Sequence, residues 1–113
     1  MFVYKICTAA QWAEAERERV FRGAPVDFAD GYIHFSTASQ VAETLAKHFA
    51  GQTELVLVEV DTTRLGNALK WEPSRGGALF PHLYGVLDLA SVGRVVPLPL
   101  GADGRHALPP FPA

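Results

Sequence analysis

The chain has 113 residues, a formal net charge of −2, and 49% hydrophobic against 19% charged residues. That balance fits one domain with its own core and excludes a disordered segment. No Lys/Arg run is present, which excludes extended nucleic-acid binding, and the single Cys7 excludes both an intramolecular disulfide and a four-thiolate zinc site.

The first residues, MFVYKICTAAQW, carry too short an apolar run for a signal peptide. No stretch reaches the roughly 20 apolar residues that span a bilayer, so the expected location is the cytoplasm, away from membranes. Phe2 to Cys7 reads as a first strand. Thr8 is placed as an N-cap, and Ala9 to Val20, rich in Ala, Glu and Arg, as a helix resting on Trp12 and Val20. Gly23 and Pro25 break that helix and leave RGAPVDFADG as a loop.

Gly31 to Phe35 reads as the second strand. Thr37 with Gln40 forms a T-x-x-Q capping box, and Val41, Leu45, His48 and Phe49 recur as one stripe of a helix that Gly51 ends. ELVLVEVD is the clearest strand, and its unbroken Leu/Val run predicts burial on both faces. TTRLGN turns, ALKWE extends, PSRGG loops, and LFPHLYGVL extends again, with Pro81 predicting an edge or a bulge. GRVVPLPL is the last strand, and the Pro- and Gly-rich tail from Gly101 packs irregularly or frays. The order predicts a single α+β domain over residues 1–113, a sheet bearing two helices.

Alternation sorts the polar residues. In the second strand Ile33 and Phe35 take one face, while Tyr32, His34 and Ser36 take the other. A face of phenol, imidazole and hydroxyl makes a poor core face, because each buried polar group needs a partner, so it lines a cleft or lies under a polar loop. His34 is then either a structural histidine or half of a site. Ser36 and Thr37 either cap the following helix or bring a ligand to its N-terminus, which suits phosphate or carboxylate.

Further along, Phe80, His82 and Tyr84 share a face. Arg75, between Ser74 and Gly76-Gly77, either belongs to a surface turn or clamps a phosphate. Trp71 either packs in the core or meets the ligand, and Glu72 beside it is either a solvated carboxylate or the negative charge of the site. Histidines 34, 48, 82 and 106 are too dispersed for a metal site, Cys7 lies in a strand unsuited to a nucleophile, and no glycine-rich nucleotide motif occurs.

YKI near the start, DGYIHFSTASQ, LVLVEVD and LKWEPSRGGALFPHLYG resemble the domain-of-unknown-function 952 family from Val3 to about Leu98, with IHFSTA and FPHLYG as the specific marks. More distantly, YIHFSTASQVAETLAKHFAGQTELVLVEVD is similar to the central strand–helix–strand of RNA 2′-phosphotransferases and other ADP-ribosyltransferase-like domains. That resemblance implies a small split antiparallel or mixed sheet with two helices and an NAD-type pocket, NAD being a substrate rather than a resident cofactor. His34 and Ser36 would fall on the pocket strand. Where such transferases carry a His-Gly-Thr-like motif on the first strand, this chain reads Tyr4-Lys5-Ile6, and His82 stands near the place of the late acid. Lys5 and His82 are then expected to hold an anion in a remodelled pocket.

These readings converge on a pocket with His34 and His82 as the catalytic pair and Tyr32, Ser36, Thr37, Trp71, Glu72, Arg75 and Tyr84 around a nucleotide or phosphorylated small molecule. Two alternatives stand beside the transferase: a binding module without chemistry, and a hydrolase using the paired histidines. All require His34 and His82 to open into one cavity.

Overall fold

A computed structural model of the chain describes residues 1–112, with nothing described of the Arg75 side chain. Strand β1, Phe2–Thr8, leads into helix α1, Ala9–Glu18. The start of α1 is fixed by a full capping box: Thr8 Oγ1 accepts from the Gln11 N–H, and Gln11 Oε1 accepts from the Thr8 N–H. The helix buries Trp12 and Ala15 and stops at Arg19, which takes the left-handed conformation (φ 64°). Val20 therefore leaves the expected helix and pairs instead, in strand β2 (Val20–Phe21).

The expected loop RGAPVDFADG contains a third helix, α2, Pro25–Asp30. Its signals are local. Pro25 sits in the first turn, where its missing N–H costs nothing, and Asp27 reaches back so that Oδ2 accepts the Ala24 N–H at 2.7 Å. Gly31 closes it in the left-handed region (φ 88°). Gly23 precedes it at φ 135°, and a Cβ there would stand 3.0 Å from the Cβ of Asp27.

Strand β3 is only Ile33–His34, shorter than expected. Helix α3, Val41–His48, begins after a turn rather than at Thr37. Half of the expected box forms, Thr37 N–H donating to Gln40 Oε1. The Gln40 N–H goes to the Thr37 carbonyl, and Gln40 Nε2 is tied to the Leu79 carbonyl. Strands β4 (Leu55–Asp61), β5 (Leu69–Pro73), β6 (Leu79–Leu83), β7 (Leu87–Asp88) and β8 (Val92–Pro97) complete the chain.

Every ladder is antiparallel, so the mixed alternative is dropped. One three-stranded sheet runs β1-β4-β8, another β3-β6-β5, and β2 pairs β7. The two larger sheets meet through one bridge, Tyr4 and Ser36 exchanging both backbone hydrogen bonds at 2.8 Å. The first sheet is buried on both sides, as its Leu/Val run predicts. Val3, Cys7, Val58 and Val60 pack toward Trp12, and Ile6, Leu55 and Leu57 pack toward Val41 and Leu45 of α3.

Pro81 lies in the middle strand β6, not at an edge. Its carbonyl accepts the Phe35 N–H at 2.9 Å, but it has no N–H to return, so the β3 pairing ends at His34. The tail is tied down rather than frayed. His106 Nε2 meets the Gln52 carbonyl at 2.7 Å, Arg94 Nη2 donates to the Pro110 carbonyl, and Phe111 packs edge-on against Tyr4. No helix among the described residues is long and apolar enough to cross a membrane.

Candidate functional site

His34 and His82 are directly opposite in the β3–β6 ladder. The Phe35-to-Pro81 bond makes the neighbouring pair hydrogen-bonded, so His34 and His82 occupy the intervening non-bonded pair, where side chains approach most closely. Their ring centroids are 5.5 Å apart at 67°. At such a position the His34 N–H points away from β6, and it donates to Asp27 Oδ1 at 3.1 Å. The same oxygen lies 2.7 Å from His34 Nδ1.

Asp27 is the anchor of this end of the site. It is 2% exposed and accepts from the Ala24 N–H, the His34 N–H, the His34 ring and Lys5 Nζ, which is 2.9 Å from both its oxygens. Burial alone would raise its pKa. The His34 hydrogen bond, the Lys5 charge and the Ala24 N–H outweigh burial and hold the carboxyl below its ordinary value. Lys5 is therefore engaged by Asp27 rather than held ready for an anion. On the other side of the ring, His34 Nε2 is 2.8 Å from Asp30 Oδ2. Both ring contacts are hydrogen bonds at once only when His34 is an imidazolium.

His82 is built the same way from a different strand. Its Nδ1 is 2.8 Å from Glu72 Oε1, on β5, and the Tyr84 hydroxyl donates to that oxygen at 2.8 Å. Hydrogen bonds from His82 and Tyr84 lower the Glu72 pKa, and the same contact raises that of Tyr84. Tyr32 closes the cluster, stacked on His82 at 4.1 Å and tilted against His34 at 4.6 Å. Burial, followed by the Asp30 and Glu72 charges, raises its hydroxyl pKa.

Both imidazoles line a cavity of about 540 Å³ at the seam between the two larger sheets. That size is within the range of small-molecule sites. Phe80, Phe49 and Ile6 give it apolar wall, and Ser36 and Thr44, whose hydroxyls are 3.0 Å apart, give it neutral polar groups.

The structure thus gathers Tyr32, Glu72 and Tyr84 about the two imidazoles, and of the expected residues it puts His34, His82 and Ser36 on the cavity wall, with Tyr32, Glu72 and Tyr84 behind it. Thr37 faces a separate, smaller cavity with Ala38 and Ser39, whereas Thr44 and His48 are the α3 residues on the wall of the cavity shared by the imidazoles. Trp71 pairs with Pro81, one residue out of phase with Glu72 and Phe80, and so leaves the opposite face of the sheet, where it is 39% exposed. It belongs neither to the site nor to the core. The Arg75 side chain lies outside the described residues. Among the described residues no group of three or more His, Cys, Asp or Glu is placed to hold a metal ion. Cys7 is buried, and desolvation pushes its thiol up to about 12, which keeps it protonated and inert.

Sequence reasoning missed Asp27 and Asp30, the two carboxylates on His34. The signal was present in Pro25 and Asp27, spaced as the first turn of a helix, and in Gly31 at its end.

Comparison with known proteins agrees with the fold. The crystal structure of protein CC0527 from Caulobacter crescentus, a structural-genomics target, is 48% identical. It covers 95% of this chain and 94% of that one, at a TM-score of 0.91. The solution structure of CC0527 is 50% identical over 92% of this chain and 90% of that one, at a TM-score of 0.83. No curated protein matches. The family described as "Protein of unknown function (DUF952)" matches residues 6–95, and the chain belongs to that family.

Proposed function

We propose that this chain binds a nucleotide-type small molecule in the seam cavity and acts on it with His34 and His82 as an acid–base pair. The observation that carries the reading is the facing of two imidazoles across one ladder, each with Nδ1 against a carboxylate. A carboxylate at Nδ1 fixes the tautomer and stabilises the imidazolium, so that Nε2 is the nitrogen that exchanges a proton with a ligand, at His34 once the ligand displaces Asp30 from it. Two such groups, one giving a proton as the other takes one, suit a group transfer or a hydrolysis.

The ligand class comes from the resemblance to ADP-ribosyltransferase-like domains. Two antiparallel half-sheets joined by one bridge, with the cavity at the join and His34 and Ser36 on the strand at its wall, support that fold type. In this reading NAD or an ADP-ribose derivative is the substrate, Ser36 and His34 orient its ribose, Asp30 on the cavity wall faces the positive charge that develops as a glycosidic bond loosens, and Glu72 acts through His82.

The test is incubation with NAD, with released nicotinamide as readout and a thermal-shift assay against NAD and ADP-ribose beside it. Release that His34→Ala and His82→Ala each abolish supports the reading; NAD left intact and no stabilisation by either ligand sinks it. At a ligand concentration 100 times Kd the stabilisation is about 2.7 kcal/mol, well within reach of the assay. The second reading, a binding module without chemistry, is favoured by one observation: Asp30 already occupies His34 Nε2. Stabilisation by ADP-ribose without turnover of NAD would select it.

A further inference from the structure

The charge around the cavity is one-sided at its His34 end. Among the described residues, the charged and titratable groups lining it are Tyr4, Lys5, Asp30, His34, His48 and His82. Asp27 and Glu72 stand directly against the two imidazoles. The Lys5 ammonium is 4% exposed and lies 2.9 Å from both oxygens of Asp27, so its charge is spent inside the wall. Asp30 has no such cation: its carboxylate, 47% exposed, meets only the His34 ring among its described hydrogen bonds. Two helix N-termini reach the wall, that of α1 at Thr8 and Gln11 and that of α2 at Ala24, Pro25 and Val26, and each is capped from within the chain, Thr8 Oγ1 accepting the Gln11 N–H and the Asp27 carboxylate accepting the Ala24 N–H.

From this arrangement we infer that the His34 end admits an uncharged or cationic, hydroxyl-bearing group of the ligand and rejects phosphate, with Asp30 as the residue that sets the selectivity. The inference rests on the ligand-binding reading above and narrows it: any phosphates a ligand carries lie away from this end. Asp30 occupies the place of the incoming group on His34 Nε2. A ligand hydroxyl takes that nitrogen, and the displaced carboxylate, half-exposed and on the cavity wall, accepts a hydrogen bond from the same ligand. Ser36 and Thr44 offer further neutral partners. A phosphate at the same spot would face Asp30 with no described guanidinium or ammonium to offset it, and like charges brought together in a partly desolvated site repel.

The experiment uses matched pairs of probes differing by one phosphate, adenosine with AMP and ribose with ribose 5-phosphate, together with inorganic phosphate and pyrophosphate. Affinities are measured by calorimetry at low salt on the full chain and on Asp30→Asn. That variant keeps the shape of an exposed side chain and removes its charge. The expected result is preference of the parent chain for the uncharged member of a pair, no binding of the inorganic anions, and a shift of the ratio toward the phosphorylated member by roughly tenfold in Asp30→Asn. Preferential binding of phosphorylated probes by the parent chain, or a ratio unmoved by Asp30→Asn, overturns the selectivity while leaving the ligand-binding reading intact. Silence of every probe on both proteins overturns the two together.

Discussion

The two larger sheets of this molecule are built on opposite terms. The β1-β4-β8 sheet holds mainly by apolar contact, with Leu55, Leu57, Val58 and Val60 of its middle strand at most 2% exposed, and its buried charges are Lys5, paired with Asp27, and Glu59, bonded to Tyr4 and Arg94. The β3-β6-β5 sheet puts Ile33, Phe35 and Leu83 on one face and, on the other, a run of imidazoles, phenols and carboxylates held by hydrogen bonds. One half is specified by volume and the other by charge and partner. The difference teaches where the chain keeps its chemistry: the apolar sheet supplies rigidity, and the polar face opens into the cavity that rigidity supports.

The largest effect should come from breaking the charge network. Asp27→Ala leaves Lys5 buried without its partner and is expected to cost about 3–5 kcal/mol in denaturant unfolding. Replacing both partners by apolar residues, Lys5→Met with Asp27→Leu, should recover most of that loss, because neither charge is then left unpaired. Recovery no greater than that of Asp27→Ala would place the cost in lost packing instead. Next comes the apolar half: Leu57→Ala, at a side chain 2% exposed, should cost about 2–5 kcal/mol through its cavity.

Acidity separates the halves more sharply than size. The folded Asp27 pKa is depressed, so its contribution is complete above the ordinary carboxylate range and is lost as pH falls through the folded value. The cost of Asp27→Ala should therefore shrink in acid, while that of Leu57→Ala should not follow it. At the alkaline end, desolvation and the neighbouring Glu59 raise the Tyr4 hydroxyl to about 12, so stability present below its ordinary value near 10 should fall as pH climbs between the two. Tyr4→Phe, monitored by thermal unfolding across that range, should flatten the fall. The smallest effect is expected of Ser36→Ala, which removes one hydroxyl contact with Thr44 and should cost about 0.5–1.5 kcal/mol.

What was legible in the sequence follows the same division. The run of Leu and Val in β4 announces a strand buried on both faces, and it is one. Alternation alone placed His34 and Ser36 on one face, and His82 and Tyr84 on one face, because a strand has a period of two. Register did the rest, and register is a tertiary fact: nothing local says that His34 stands opposite His82. Trp71 was lost to the same ignorance, since one step along β5 moves a side chain to the other face. The short helix carrying Asp27 and Asp30 was hidden by its own punctuation. Gly23 and Pro25 read as loop residues, whereas here they are the entrance to a helix whose acids complete the site. Pro81 misled in the opposite sense, standing in a middle strand where its partner β3 has just ended.

The account turns on two carboxylate-backed imidazoles serving one ligand. The direct measurement is a nitrogen–proton NMR correlation of the four histidine rings during titration with ADP-ribose. The prediction is a proton on Nδ1 of both His34 and His82, and movement of both sets of signals along one binding curve, while His106, held on the Gln52 carbonyl, stays in place. Signals of His34 and His82 that respond separately, or remain still at saturating ligand, would contradict it.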